Sequence, residues 1–244
     1  MPLTADTSKC MLAVGGMTIL DRSMQLMRCA GISRIAVVRG YYKEKVSASG
    51  AEFFDNAHFA QNNILHSLFC AEQAMEGGFL FLYGDLVYED FVLTAALSSP
   101  EDIAVVVDRD LQKNVEQGMR TEDEAEVILD NASGVRLIGK GTVSIAHATG
   151  EFVGIAKFSA RGAAVLQSEF HRLCKLYEGR FDRPFQRAKE FQKAYMTDMF
   201  QELIDRGIRV APVSIHGGWQ EIDTLQDLER ARARFATIVL TIFN

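Results

Sequence analysis

The chain has 244 residues, 48% of them hydrophobic and 24% charged, and a net charge of −6. That is the makeup of an ordinary soluble globular protein, with length enough for one large or two small domains. The acidic balance argues against a grip on nucleic acid or on an anionic membrane surface.

No apolar run has transmembrane length and no charged-then-apolar leader is apparent, so a cytoplasmic protein is expected. Cys10, Cys29, Cys70 and Cys174 lack metal-ligand spacing and read as free thiols, most of them in the core. Met1 to Lys9 is polar and turn-rich. CMLAVGG (10–16) is a short apolar run closed by two glycines. Ile19, Leu20, Met24, Met27 and Cys29 then recur near helical spacing, with Gly31 as the stop. RIAVVRG (34–40) reads as a strand, Tyr41 to Val46 as a turn or short helix, and AEFFDN (51–56) as a second strand. The apolar stripe of Ile64, Leu65, Leu68, Phe69 and Ala71 predicts a helix over 60–76.

Phe79 to Tyr83, FLFLY, is an unbroken apolar run, the pattern of a strand buried on both faces. It stops at Gly84-Asp85, and a helix over 90–97 follows. DIAVVVDRD (102–110) repeats the strand-then-carboxylate pattern. A hairpin is predicted over 125–141 and a strand over 151–159. Helices are predicted over 160–177 and 185–206, a strand over 209–217, then GWQEID (218–223) and a charged last helix. The apolar tail 236–244 is a candidate last strand or homodimer contact. No repeat and no long linker appears. The expectation is one α/β domain over 1–244, a Rossmann-like doubly wound mixed sheet, with a β-rich insertion at about 110–160.

Ligands of open α/β sheets bind outside the carboxyl ends of strands. A carboxylate at Asp85, beside a glycine at Gly84 that lets a ligand approach, suits a divalent cation bridging to phosphate. Alternation would put Trp219, Glu221 and Asp223 on one face of a short strand, and Asp223 again ends a strand just before a helix. Two such carboxylates meeting at one sheet edge are what Mg²⁺ needs. Each aspartate also reads as the cap of the helix after it, and both readings stay open here.

These motifs, in this order, resemble the nucleotidyltransferases that join an NTP to a sugar phosphate or alcohol phosphate. Pro2, Thr4 and Lys9 match the Pro-x-Thr…Pro-Lys segment, with Ser8 where proline is usual. Gly84 and Asp85 match the GD element. Glu221, Ile222 and Asp223 match the late E-I-D of the small-alcohol branch, and QNNILHSL (61–68) is similar to the segment near base and ribose. Asp108-Arg109-Asp110, the hairpin and GEFVGIAKFS (150–159) resemble the cytidylyltransferases for phosphocholine and 2-aminoethylphosphonate.

The resemblance implies the nucleotide-diphospho-sugar transferase fold, Mg²⁺ held by Asp85 and Asp223, and Lys9 as the cation against phosphate. It implies nucleotide contacts from Asn62, Asn63, Ser67 and Gly84, although the three side chains also fit a helix terminus. Acceptor contacts fall to Glu151, Trp219, Asp110 and Arg120, with plain packing an equal reading for Trp219. The implied partners are CTP and a small amino-alcohol phosphate or phosphonate, with pyrophosphate released. A sugar-1-phosphate nucleotidyltransferase and a silent nucleotide-binding module are the alternatives. The family's opening strand and glycine-rich phosphate loop have no counterpart before Met1. A truncated start is the expectation, and a natural variant that lost catalysis the alternative.

Overall fold

A computed structural model describes residues 4–236; Pro2 and residues 237–244 of the apolar tail lie outside the described residues. In chain order the elements are β1 (Ala13–Val14), β2 (Met17–Thr18), α1 (Ile19–Cys29), β3 (Ala36–Arg39), β4 (Glu52–Asp55), α2 (Ile64–Phe69) and β5 (Gly78–Leu82). Then come β6 (Leu86–Tyr88), α3 (Asp90–Leu97), β7 (Ile103–Asp108), α4 (Leu111–Glu116), β8 (Val127–Asn131), β9 (Gly134–Ile138) and β10 (Gly150–Ser159). The chain ends with α5 (Ala160–Leu176), α6 (Met196–Asp205), β11 (Ala211–Ile215), β12 (Trp219–Glu221) and α7 (Leu225–Phe235). These elements fall into two compact units: Met1–Ala57 with Leu82–Thr94 and Gly218–Asn244, and His58–Phe81 with Ala95–Gly217.

In the first unit, α1 starts where predicted because the Thr18 side chain accepts from Asp21 N–H, and it stops at Gly31, whose φ of +85° suits glycine. β3 and β4 pair in parallel, β1 and β2 as a tight hairpin, and β6 and β12 antiparallel. Val14, Ile19, Val87, Ile222, Leu228 and Phe235 form the core beneath them. Burial of these side chains is the main source of this unit's stability, at roughly 1.5–3 kcal/mol for each large one.

The second unit is built on a six-stranded mixed sheet ordered β11-β7-β10-β8-β9, with β5 also paired to β10. β7 lies between β11, which runs parallel to it, and β10, which runs antiparallel. All six of its residues are buried, as an apolar run with both edges bonded requires. β10 is the long strand of this sheet; its register with β7 shifts between Phe152 and Ala156, where Gly154 has a φ of +80° and permits the bulge. The predicted hairpin is present as β8 and β9.

Four expectations are corrected. β5 is a strand, yet only Phe81 is buried and its neighbours are half-buried. A run without periodicity marks a strand but does not fix how deeply it lies. The helix expected over 60–76 is α-helical only from Ile64 to Phe69, followed by a 3₁₀ turn at Glu72–Ala74. The helix expected over 185–206 is α6 alone, preceded by a 3₁₀ turn at Phe191–Lys193. There Phe191 is fully buried among Tyr177, Phe181 and Phe185, and this aromatic packing holds the segment out of helix. All four cysteines are free, but none is core: Cys29 and Cys70 are exposed at helix ends, and Cys10 and Cys174 are half-buried. Among the described residues no helix is long and apolar enough to cross a membrane.

Gly162, in the first turn of α5, packs directly on β7's entry: a Cβ there would lie 2.0 Å from the Asp102 carbonyl oxygen. Gly162→Ala is therefore expected to cost about 2–3 kcal/mol in urea unfolding, against about 1 kcal/mol for Gly179→Ala, where only the positive φ opposes the side chain.

Candidate active site

Two short strands of the first unit build the site. β6 and β12 pair with Leu86 opposite Glu221, Val87 opposite Gln220 and Tyr88 opposite Trp219. One residue further, Ile222 N–H donates to the Asp85 carbonyl at 3.0 Å. Ile222 is fully buried in the core, and alternation about it turns Glu221 and Asp223 the other way, beside Asp85. Carboxylate oxygens of Asp85, Glu221 and Asp223 consequently lie within 4.8 Å of one another.

Lys9 closes the cluster. It opens the 3₁₀ turn Lys9–Met11, and its Nζ lies 3.0 Å from Asp85 Oδ2 and also pairs with Asp223 Oδ1. Burial alone would depress its pKa, but the Asp85 charge and the hydrogen bond and charge of Asp223 outweigh it and raise it. Lys9 therefore stays protonated and acts as a fixed positive charge, with no capacity as a base near neutral pH. The thiol of Cys10 beside it is pushed up to about 11, by burial first and then by Asp85, so it remains neutral. At Gly84 a Cβ would meet only Cys10 Cβ, at 3.9 Å.

The capping alternatives are answered by the same geometry. Thr224 caps α7: its hydroxyl accepts from Asp227 N–H at 3.2 Å, and Asp227 Oδ2 accepts from Thr224 N–H at 2.7 Å. At α3, Asp90 accepts from Phe91 N–H at 2.8 Å. Both helix starts are served by other side chains, which leaves the carboxylates of Asp223 and Asp85 to Lys9.

A cluster of hard oxygen donors around a lysine, held on a mixed α/β framework, narrows the choice of relatives. The profile of the MobA-like NTP transferase domain matches residues 4–168. The chain belongs to this family. A CTP:phosphoglutamine cytidylyltransferase of Campylobacter jejuni is 28% identical over 243 residues, which cover 94% of this chain and 92% of that protein. A 2-aminoethylphosphonate cytidylyltransferase of Lancefieldella rimae is 30% identical over 95 residues, 36% of this chain and 39% of that one. The structure of the CTP:phosphocholine cytidylyltransferase from Streptococcus pneumoniae matches with a TM-score of 0.67 at 17% identity, covering 95% of this chain and 91% of that one. The fold is thus the nucleotide-diphospho-sugar transferase type expected, and the transferase class of the enzyme follows from the family.

The remaining residues implied by the resemblance to the NTP transferases are placed as follows. Trp219 is buried in the β12–β6 ladder of the first unit, its packing alternative. In the second unit Asn63 is the N-cap of α2: its Oδ1 accepts from Ile64 N–H at 2.9 Å and its Nδ2 donates to the Lys193 carbonyl at 3.3 Å. Both of its side-chain groups are used on backbone, the helix-terminus reading. Asn62 precedes this cap, and Ser67 lies within α2. Glu151 is fully buried on β10, 2.6 Å from Arg120 Nε. Asp110 accepts from His216 at 2.8 Å and pairs with Lys113 at 3.6 Å. Asp108 is buried and accepts from Asp110 N–H and Gly217 N–H, both at 3.0 Å, a tie between the ends of β7 and β11.

Glu221, for which the resemblance implies no metal role, joins Asp85 and Asp223 in the cluster. Period-two alternation is the sequence signal for it, since it puts Glu221 on the face of Asp223. Because Thr224 is the cap and Asp223 is not, Thr224→Ala is expected to lower thermal stability by about 1 kcal/mol. Asp223→Asn should change the same melt by less than that, because the pairing lost with Lys9 is offset by relief of repulsion among the three carboxylates.

Proposed function

We propose that this NTP transferase is a Mg²⁺-dependent cytidylyltransferase that moves CMP from CTP to a small nitrogen-bearing phosphate or phosphonate and releases pyrophosphate. The observation that carries the reading is the convergence of Asp85, Glu221 and Asp223 around Lys9. The choice of CTP and of the acceptor class draws on the relatives named above, whose acceptors are phosphoglutamine, 2-aminoethylphosphonate and phosphocholine.

Three carboxylates with oxygens within 4.8 Å of one another form an all-oxygen donor set, which fits Mg²⁺ better than a softer metal. Asp85, Glu221 and Asp223 would hold it. When bound, such an ion neutralises phosphate charge and orients the group being transferred. The chain's own contribution is positional and electrostatic. The carboxylates stand at the end of a laddered pair of strands, where they would hold the metal. Lys9, an ammonium near neutral pH, offers a compact cation to the non-bridging phosphate oxygens on which charge concentrates during transfer. An ammonium and a divalent ion would compete for the same carboxylate oxygens, and Lys9 would turn from them to engage phosphate.

Purified protein is assayed for pyrophosphate release with CTP and each of phosphoglutamine, 2-aminoethylphosphonate and phosphocholine. Release is expected with at least one of them, to vanish with chelator, and to fall by about a hundredfold or more in Asp85→Asn or Asp223→Asn. Release only with a hexose 1-phosphate and another NTP would move the enzyme to the sugar branch. Near-normal turnover in either variant would remove that aspartate from the metal site.

The competition at the carboxylates gives a separate expectation. Lys9→Met should tighten Mn²⁺ binding to the nucleotide-free protein, by about fivefold or more in calorimetry or electron paramagnetic resonance, because the resident cation is gone. Unchanged affinity would mean that Lys9 and the metal do not share those oxygens.

A further inference from the structure

Lys9 is delivered by a stretch with almost no regular structure of its own, since residues 4–8 precede the short turn that Lys9 opens. A lysine on a loose arm would spread its ammonium over many positions, yet here it meets two carboxylates. Something other than local secondary structure fixes the arm.

The turn after β3 supplies it. Tyr41 Oη donates to the Thr4 carbonyl at 3.1 Å, and Tyr42 Oη donates to the Ala5 carbonyl at 3.1 Å. Lys45 Nζ donates to the Asp6 carbonyl at 2.5 Å, and in return Ser8 Oγ donates to the Tyr41 carbonyl at 2.5 Å. Three consecutive carbonyls of the arm are engaged, and a fourth bond falls on the residue before Lys9. The donors also hold one another: the Tyr41 and Tyr42 rings meet edge-on at 4.4 Å, and the Lys45 ammonium lies 4.8 Å over the Tyr42 ring.

The clamp has its own footing. Arg39 and Lys43 both pair with Asp55 on β4, at 2.9 and 3.0 Å, and so tie the turn to the β3–β4 pair. Tyr42 adopts a left-handed conformation, φ 50° and ψ 40°, that a bulky residue takes up at a cost of order 1 kcal/mol. Such a conformation persists where the surroundings over-determine it. Here it turns the ring of Tyr42 to the arm while the 3₁₀ turn Lys43–Lys45 brings Lys45 alongside. Each individual bond is exposed and weak, but four bonds on five consecutive residues leave the arm little freedom.

We propose that Tyr41, Tyr42 and Lys45 are positioning residues that clamp the arm at residues 4–8 and thereby set where Lys9 presents its charge. They contact backbone carbonyls of the arm and act on the chemistry only through Lys9. The proposal rests on the role given to Lys9 above.

The test is a cycle of four proteins: wild type, the triple variant Tyr41→Phe/Tyr42→Phe/Lys45→Met, Lys9→Met, and the quadruple variant. In pyrophosphate release the triple variant is expected to lose about tenfold in kcat with nucleotide KM little changed, and to cause no further loss once Lys9 is gone. A triple variant within twofold of wild type, or losses that multiply in the Lys9→Met background, would overturn the clamp while leaving the role of Lys9 intact. Full activity in Lys9→Met would overturn that role and the clamp with it. The same cycle is read without turnover from Mn²⁺ binding: freeing the arm should tighten Mn²⁺ binding in the direction of Lys9→Met, and the quadruple variant should bind no tighter than Lys9→Met. Unchanged Mn²⁺ affinity in the triple variant is the contrary result. Should the triple variant unfold, Lys45→Met alone, which keeps the aliphatic stem, carries both readouts with the same signs.

Discussion

Bringing three carboxylates together is unfavourable, and the first unit is arranged around that cost. Two unit charges at the 4.8 Å limit of this cluster repel by roughly 3 kcal/mol at an effective dielectric of about 20, before solvent screening reduces it. Attraction to Lys9 offsets part of this, while the rest is borne by structure that has no charge at all. Ile222, wedged fully buried between Glu221 and Asp223, fixes both acids through a single apolar anchor. Its N–H on the Asp85 carbonyl extends the β6–β12 ladder by the one step that sets Asp85 beside them. The ladder is only three residue pairs long, so the core of Val14, Ile19, Val87 and Leu228 beneath it supplies the rigidity.

That division of labour explains what could be read from the sequence. The alternation in Glu221-Ile222-Asp223 is a local pattern, and it correctly placed two acids on one side and an apolar residue on the other. Gly84-Asp85 was legible as the end of a strand. What no periodicity reveals is that β6 and β12 pair, since each is three residues long and shorter than any window that detects a strand. Order and spacing of motifs, a longer-range signal, carried that step. Capping was undecidable for the opposite reason: Asp85, Asp90, Asp223, Thr224 and Asp227 are all plausible cap residues, and only the hydrogen bonds of Thr224, Asp227 and Asp90 assign the work.

The fold was most legible where one local rule dominated. α1 has a cap, a stripe and a glycine stop, and β7 is an apolar run with both edges bonded. The two overlong helix predictions share a physical cause. At 60–63 and 185–195 the residues have acceptable helix propensity, but side chains from elsewhere in the second unit claim them: Asn63 bonds the Lys193 carbonyl, and Phe191 buries itself against Tyr177 and Phe185. Propensity is a few tenths of a kcal/mol per residue, whereas burying a phenylalanine is worth about 2–3. Tertiary packing wins wherever the two disagree.

Lysine at position 9, rather than arginine, follows from the same arrangement. A guanidinium prefers a planar, two-pronged grip on one carboxylate and would resist leaving it. The ammonium of Lys9 is a compact charge on a flexible stem, and in the proposed role it would turn from Asp85 and Asp223 toward a phosphate without moving its backbone. That freedom of the stem is useful only if its root is fixed. The carboxylates gain their precision from a ladder and a core. The lysine, standing on an arm with neither, gains it from side chains that hold the arm's carbonyls. The two supports are independent in sequence and meet at the Lys9 ammonium, so a change that loosens either one displaces the same charge.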